Sequence, residues 1–215
     1  MTWVLDHVGE LLATSAEHLW LALVPVLVGL LISLPLGAAA ARWRVLRRIL
    51  VPAFGLLYTV PSLALFVVMP ALLGTRILDP INVQAALTIY TVALLVRAIS
   101  DALAAVPGET IAAANAMGFG QLRRFATVEL PLALPVLFAG VRVAAVSNIS
   151  LVSVGAIIGV GGLGYYITHG AQLALPNYSE IVAGIVLIVV LALLVDLLLS
   201  VLARAVTPWT RAVGR

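Results

Sequence analysis

Residues 112–131 read AAANAMGFGQLRRFATVELP. They stand between two long apolar runs, near 82–104 and 133–158, and their reading decides how the chain is organised. Ile111 to Met117 is rich in alanine, the best helix former. Pro107 and Gly108 punctuate its start, and Gly118 and Gly120 break it. Gln121 to Val128 resumes a helical pattern, and Pro131 opens the return to apolar sequence. The expected result is an insert over 105–132 made of two short helices joined at a glycine elbow. Arg123, Arg124 and Glu129 flank its apolar ridge.

Around this polar island the chain is very apolar. Its 215 residues are 63% hydrophobic and only 10% charged, with a mean hydropathy of +1.19. Soluble domains carry about 25% charged residues, so an all-α integral membrane protein is the expected class. No cysteine is present, which excludes disulfides and thiolate metal sites. All 12 basic residues are arginines. With no lysine, a phosphate loop or Schiff base built on lysine is excluded. The net charge of +3 does not point to nucleic acid, because the arginines cluster at segment ends, where they fix topology.

A spanning helix needs about 20 apolar residues. Five spans are expected, near 19–41, 50–73, 82–104, 133–158 and 180–204. Residues 1–18 carry Asp6, Glu10 and Glu17 without an opening basic region, unlike a signal peptide. Val4, Val8, Leu11, Leu12 and Leu19 recur at helical spacing and predict an amphipathic helix lying at the interface. Span two contains Pro52, Pro61 and Pro70. Pro61 should free a carbonyl in mid-span, with Thr59 and Ser62 beside it to satisfy local polar groups. Gly29 and Gly37 of span one predict a bend or close packing.

Arg42, Arg44, Arg47 and Arg48 crowd the link between spans one and two. Arg123 and Arg124 lie in the insert, and Arg204, Arg211 and Arg215 follow span five. With five spans all three groups fall on one side. The positive-inside rule makes that side the cytoplasm, with the amino terminus outside and 205–215 a cytoplasmic tail. His7, His18 and His169 are expected outside the spans, with no metal-type spacing among them.

The insert resembles the coupling motif of ABC-importer permeases: Glu-Ala-Ala, a glycine, nine residues, an aliphatic residue, one residue, Leu and Pro. Ala113, Ala114, Gly118, Val128, Leu130 and Pro131 fall in register with it. Ala112 stands where the pattern has Glu, and Glu109, one turn earlier, offers a neighbouring carboxylate. Thr59-Val60-Pro61-Ser62-Leu63-Ala64-Leu65 is similar to a segment of the glycine betaine/carnitine/choline (osmoprotectant) permeases. So are the glycine-rich stretch Gly159–Gly164, Glu17-His18-Leu19, and Leu34-Pro35-Leu36-Gly37. The likeness covers nearly the whole chain. It implies one transmembrane domain over 19–204, of the type I importer kind, acting as half of a permease dimer. It also implies a cytoplasmic ATPase pair that holds ATP and Mg and grips the insert, and an external solute-binding protein at the 74–81 and 159–179 face. This chain itself is expected to bind no cofactor, and its location to be a bacterial inner membrane. Permeases for methionine share some of these motifs and are the nearest rival. An ion-coupled carrier would show inverted repeats, which the sequence does not display.

Four groups of residues in or beside the spans remain. Gly159, Gly161, Gly162 and Gly164 match G-x-G-x-x-G, but they follow a membrane span rather than a soluble strand, so a dinucleotide site is not expected. A gate at the outer mouth and simple helix packing both fit them. Ser147, Asn148, Ser150 and Ser153 make a polar stripe on span four, fit either to face a path or to bond between helices. Arg142 and Asp196 lie at similar depth, roughly 10–12 Å from the cytoplasmic ends of spans four and five. An ion pair between them is expected, with Arg97 as the alternative partner. Tyr58, Tyr90, Tyr165 and Tyr166 are candidates for cation–π contact with a quaternary ammonium.

Overall fold

The computed structural model describes residues 2–211. The end of the expected tail, 212–215 with Arg215, lies outside the described residues. Of the described residues 86% are helical, and no strand occurs among them. The helices are α1 (Thr2–Asp6), α2 (Val8–Arg42), α3 (Arg44–Tyr58), α4 (Ser62–Leu73), α5 (Pro80–Ala104), α6 (Gly108–Ala116), α7 (Gln121–Arg124), α8 (Leu130–Gly155), α9 (Gly164–Gln172) and α10 (Tyr178–Val206). Among the described residues, four helical stretches are long and apolar enough to cross a membrane, and the bent pair α3–α4, counted as one span, makes a fifth.

α5 is the central post. α2 runs along it, and α3, α4 and α8 also pack on it. Its start follows from local chemistry. The Asp79 carboxylate accepts from the Ile81 amide at 3.0 Å, and Pro80, which has no amide hydrogen to leave unpaired, takes the first turn. The α2–α5 seam is made of small residues. Gly29, Ser33 and Gly37 recur every fourth position on the buried face of α2. A Cβ at Gly37 would come within 2.6 Å of the Ile99 side chain, and one at Gly29 would collide with Thr91. Lipid tails give apolar helices no hydrophobic reason to associate, so this close backbone approach, with its dense van der Waals contact, holds the seam. Close packing, one of the two expectations for these glycines, is realised here.

Three boundaries differ from expectation. No break separates residues 8–18 from span one: α2 is continuous from Val8 to Arg42, and His18 lies fully buried within it. The reason is that the carboxylates Glu10 and Glu17 sit on the exposed side while Leu11, Ser15 and His18 face inward. Span two is not a helix kinked at Pro61 but two helices meeting at 103°. Proline disfavours the helical conformation at the residue before it and donates no hydrogen bond. Pro61 therefore caps α4 in extended geometry. The freed Val60 carbonyl accepts from the Tyr90 hydroxyl, while Thr59 bonds back to the Leu56 carbonyl at 2.7 Å. With the axis turned, Pro52 and Pro70 lie in different helices, α3 and α4, on either side of Pro61. Finally, the stretch after span four holds a helix of its own, α9, packed against α10.

Candidate functional site: the α6–α7 elbow and the groove between α8 and α10

The insert leaves α5 at Val106, forms α6, turns at Gly118 and enters α7. Gly118 has φ +79, a left-handed conformation that glycine adopts without steric cost. Its amide bonds the Asn115 carbonyl at 3.0 Å, and the Phe119 amide bonds the Ala114 carbonyl at 3.1 Å. These two bonds are the Schellman arrangement that ends a helix at a glycine. The second expected helix is not separate. α7 passes through one π turn, Phe125–Glu129, straight into α8, giving a single helical stretch from Gln121 to Ile158. Pro131 stands at the start of α8, directly after the π turn.

The predicted coupling residues separate into two sets. Glu109, Ala112, Ala113, Gly118 and Arg123 are exposed, as are Met117 and Leu122 at 68% and 82%. Ala114 is buried, and Val128, Leu130 and Pro131 are half-buried where the insert rejoins the bundle. Arg124 does not stand free to grip anything. Its Nε donates to Glu129 at 2.5 Å and its Nη1 to the Asn115 side chain at 2.7 Å, so it ties the end of α6 to the start of α8. Arg123 lies over the Phe119 ring, 4.5 Å from its centre. The expected pair of outward arginines is thus one internal clasp and one surface cation. At the base of the insert Arg47 reaches Asp101 at 2.6 Å, and Arg97 approaches the same carboxylate at 3.7 Å. That contact accounts for Arg97, the alternative partner named for Asp196.

Arg142 and Asp196 come together across α8 and α10. Nε donates to Oδ1 at 2.8 Å and Nη2 to Oδ2 at 2.6 Å, a bidentate fork. With Ser147 they line a groove of about 570 Å³ walled by Ala139, Val143, Val146, Val189, Ala192 and Leu193. The polar residues of α8 do not share one face. Asn148 is buried on the opposite side, donating to the Ala22 carbonyl at 3.2 Å and the Thr91 hydroxyl at 3.0 Å. It bonds α8 to α2 and α5. Ser150 is exposed and Ser153, half-buried, returns its hydroxyl to the Ser150 carbonyl at 2.5 Å.

The glycine-rich turn packs against α2. Gly159 (φ +83) and Gly162 (φ +91) hold left-handed conformations. A Cβ at Gly162 would press on His18 Nδ1 at 3.0 Å, and one at Gly164 would strike the Ser153 carbonyl at 2.5 Å. Gly161 leaves room for the Glu17 carboxylate. Here lies the residue the sequence reading misplaced. His18 Nδ1 accepts from the Leu163 amide at 3.1 Å and its Nε2 contacts the Ile149 carbonyl at 2.9 Å. An amide can only donate and a carbonyl can only accept, so the ring is neutral with its hydrogen on Nε2. The motif Glu17-His18-Leu19 was the available signal; its inward direction was not readable from it. Tyr165 and Tyr166 lie at this end of the molecule, Tyr165 stacked on His169 and Tyr166 buried. Tyr58 meets Tyr90 edge-on at 5.8 Å beside the α3–α4 break.

A bundle of apolar spans interrupted by one capped, outward-projecting elbow defines a helical membrane protein. The family described as the binding-protein-dependent transport system inner membrane component matches residues 20–211, and the chain belongs to that family. It is 35% identical to the osmoprotectant import permease protein OsmW of Salmonella typhimurium, over 96% of each chain. It is 32% identical to the glycine betaine/carnitine/choline transport system permease protein OpuCB of Bacillus subtilis, over 97% of this chain and 94% of that one. The fold is also that of a chain in an inward-facing MetNI methionine ABC transporter, at a TM-score of 0.81 and 23% identity over 94% of this chain and 98% of that one. The expected type I importer architecture is therefore the one observed.

Proposed function

We propose that the chain is the permease subunit of an ATP-driven importer for osmoprotectants such as glycine betaine, choline or carnitine, the solutes named for its relatives. The observation that carries the mechanism is the elbow. Met117 and Leu122 are among the most exposed apolar side chains of the insert, in a segment too polar and too short to enter a membrane. Exposed apolar side chains on a rigid, capped turn suit a groove on a soluble partner. The partner is a cytoplasmic ATPase pair carrying ATP and Mg, and Glu109, Ala112, Ala113 and Arg123 border the contact. α7 runs unbroken into α8, so a push on the elbow acts directly along a span. Arg124, held by Glu129 and Asn115, keeps the elbow from flexing instead.

The arginine distribution supports an orientation. The up-and-down course of α2, α3–α4, α5, α8 and α10 gathers Arg42, Arg44, Arg47, Arg48, Arg123, Arg124 and Arg204 at one end. The positive-inside rule makes that end cytoplasmic and leaves α1, the 74–79 link, α9 and 173–177 outside. There an external binding protein delivers its solute. Five spans enclose little space, so a second copy or a homologous permease completes the path.

Co-purification with the partner ATPase and binding protein, followed by uptake of radiolabelled glycine betaine into vesicles, tests the reading. Uptake should need both partners and ATP. Uptake that persists without ATP hydrolysis would overturn it in favour of an ion-coupled carrier. Uptake of methionine instead of osmoprotectants would leave the ATP-driven mechanism standing and replace the solute.

A further inference from the structure

The Arg142–Asp196 pair is built differently from a buried structural bridge. Its side chains remain 36% and 34% exposed, although both sit well inside spanning helices. Ionisable groups at that depth are costly against lipid and instead face protein or a wet cavity. Arg142 commits Nε and Nη2 to Asp196, and its Nη1 takes no hydrogen-bond partner among the described residues. The pair lies in the groove between α8 and α10 with apolar walls and the Ser147 hydroxyl. At about 100° per residue, Arg142, Ser153, Ser150 and Ser147 fall within roughly 140° of the α8 surface, and Asn148 points away into the core. A polar track therefore runs along the uncovered side of α8, with one charge pair at its inner end.

We infer that this groove is a solute contact on the path across the membrane, made for a compact zwitterion: a quaternary ammonium that carries its own carboxylate. The inference rests on the osmoprotectant reading and deepens it. A zwitterion can lie antiparallel beside the fixed pair. Its carboxylate takes the spare Nη1 of Arg142, its ammonium faces the Asp196 carboxylate, and its methyl groups meet Val143, Val146, Val189 and Leu193. The fork need not open, and no net charge is added to the groove. A simple cation such as choline gains only the Asp196 half and meets the Arg142 charge without a counter-charge. The contact therefore favours zwitterions over cations at the transport step, separately from any preference of a binding protein.

The test is equilibrium dialysis of radiolabelled glycine betaine against the permease–ATPase complex, without binding protein, in nanodiscs of phosphatidylethanolamine and phosphatidylglycerol. Wild type should bind saturably, with competition by carnitine and little by choline at the same concentration. The double variant Arg142→Gln/Asp196→Asn, which keeps an amide pair in place of the charges, should bind at least tenfold more weakly at an unchanged melting temperature. Should that variant fail to fold, Val146→Trp, which fills the groove and leaves the pair intact, should give the same loss. No saturable binding by wild type, equal binding by the groove-filled variant, or equal competition by choline overturns the inference. Repeating the assay in phosphatidylcholine discs separates the free solute from a lipid headgroup: binding should persist, and its loss would give the groove to lipid. Uptake by the complete system tests the parent reading separately, since betaine uptake without groove binding sinks only this inference.

Discussion

Asn148, His18 and Arg124 carry more of this molecule than their number suggests. Each is a polar side chain that satisfies groups on two other elements, and Asn148 and His18 do so within a lipid-embedded bundle that offers few other specific contacts. Asn148→Leu removes the bonds to Ala22 and Thr91. Interhelical hydrogen bonds in membranes are worth about 0.6 and up to about 1.7 kcal/mol. The variant should lose roughly that much, read as a lowered melting temperature in detergent with assembly retained. His18→Phe keeps the ring volume and abandons both bonds. The Leu163 amide then loses its partner, at a cost of about 1–3 kcal/mol when buried, while the Ile149 carbonyl, inside α8, loses only a second bond. Hydrogen exchange at 159–164 should accelerate by at least tenfold while α5 stays protected; unchanged exchange there would show that the glycines alone hold the turn. Sequence reasoning reached the identity of these residues and not their direction. A lone asparagine or histidine near an apolar run looks the same whether it faces a path or a neighbour, because direction is set by which helix packs alongside.

At the scale of elements, the five apolar runs and the elbow were legible because their signals are local: length of hydrophobic run, alanine content, and glycine and proline punctuation. The end of α6 at Gly118 is the clearest case. What was not legible is how elements join. Pro61 reads as a kink or a break with equal right, and the Tyr90 hydroxyl, which accepts the role of partner for the Val60 carbonyl, comes from thirty residues away. Tyr90→Phe should therefore leave that carbonyl unpaired and loosen the α3–α4 junction, seen as faster exchange at 59–63 and a lower melting temperature. In the same way the joining of α7 to α8 through a π turn was hidden, since a π turn has no composition of its own. It matters for mechanism because it makes the elbow and the span one mechanical piece. Arg124→Ala frees Glu129 and Asn115 and should make that piece compliant. The expected outcome is ATP hydrolysis that continues while uptake falls several-fold. Parallel loss of both would mean that Arg124 contacts the ATPase itself.

For the whole molecule, one chain supplies a post (α5), a small-residue seam along it, and two surfaces left for others. One surface is the elbow, which exposes Met117 and Leu122 among polar neighbours and lies at the arginine-rich end. The other is the uncovered side of α8 and α10, which is apolar except for Ser147, Ser150 and the Arg142–Asp196 fork. The family match and the fold define a transport component; the driving contact is the central claim, and it is located at Gly118. There is open space around the position a Cβ would occupy there, so Gly118→Asn meets no internal clash. Asparagine also tolerates the left-handed backbone better than other residues with a side chain. The substitution therefore changes the outer surface of the elbow more than its fold. The most direct measurement is the number of solute molecules taken up per ATP hydrolysed, in vesicles holding the complete transporter, for wild type and Gly118→Asn. The account predicts that the variant inserts and assembles normally while this ratio falls at least fivefold. An unchanged ratio with normal uptake would contradict it.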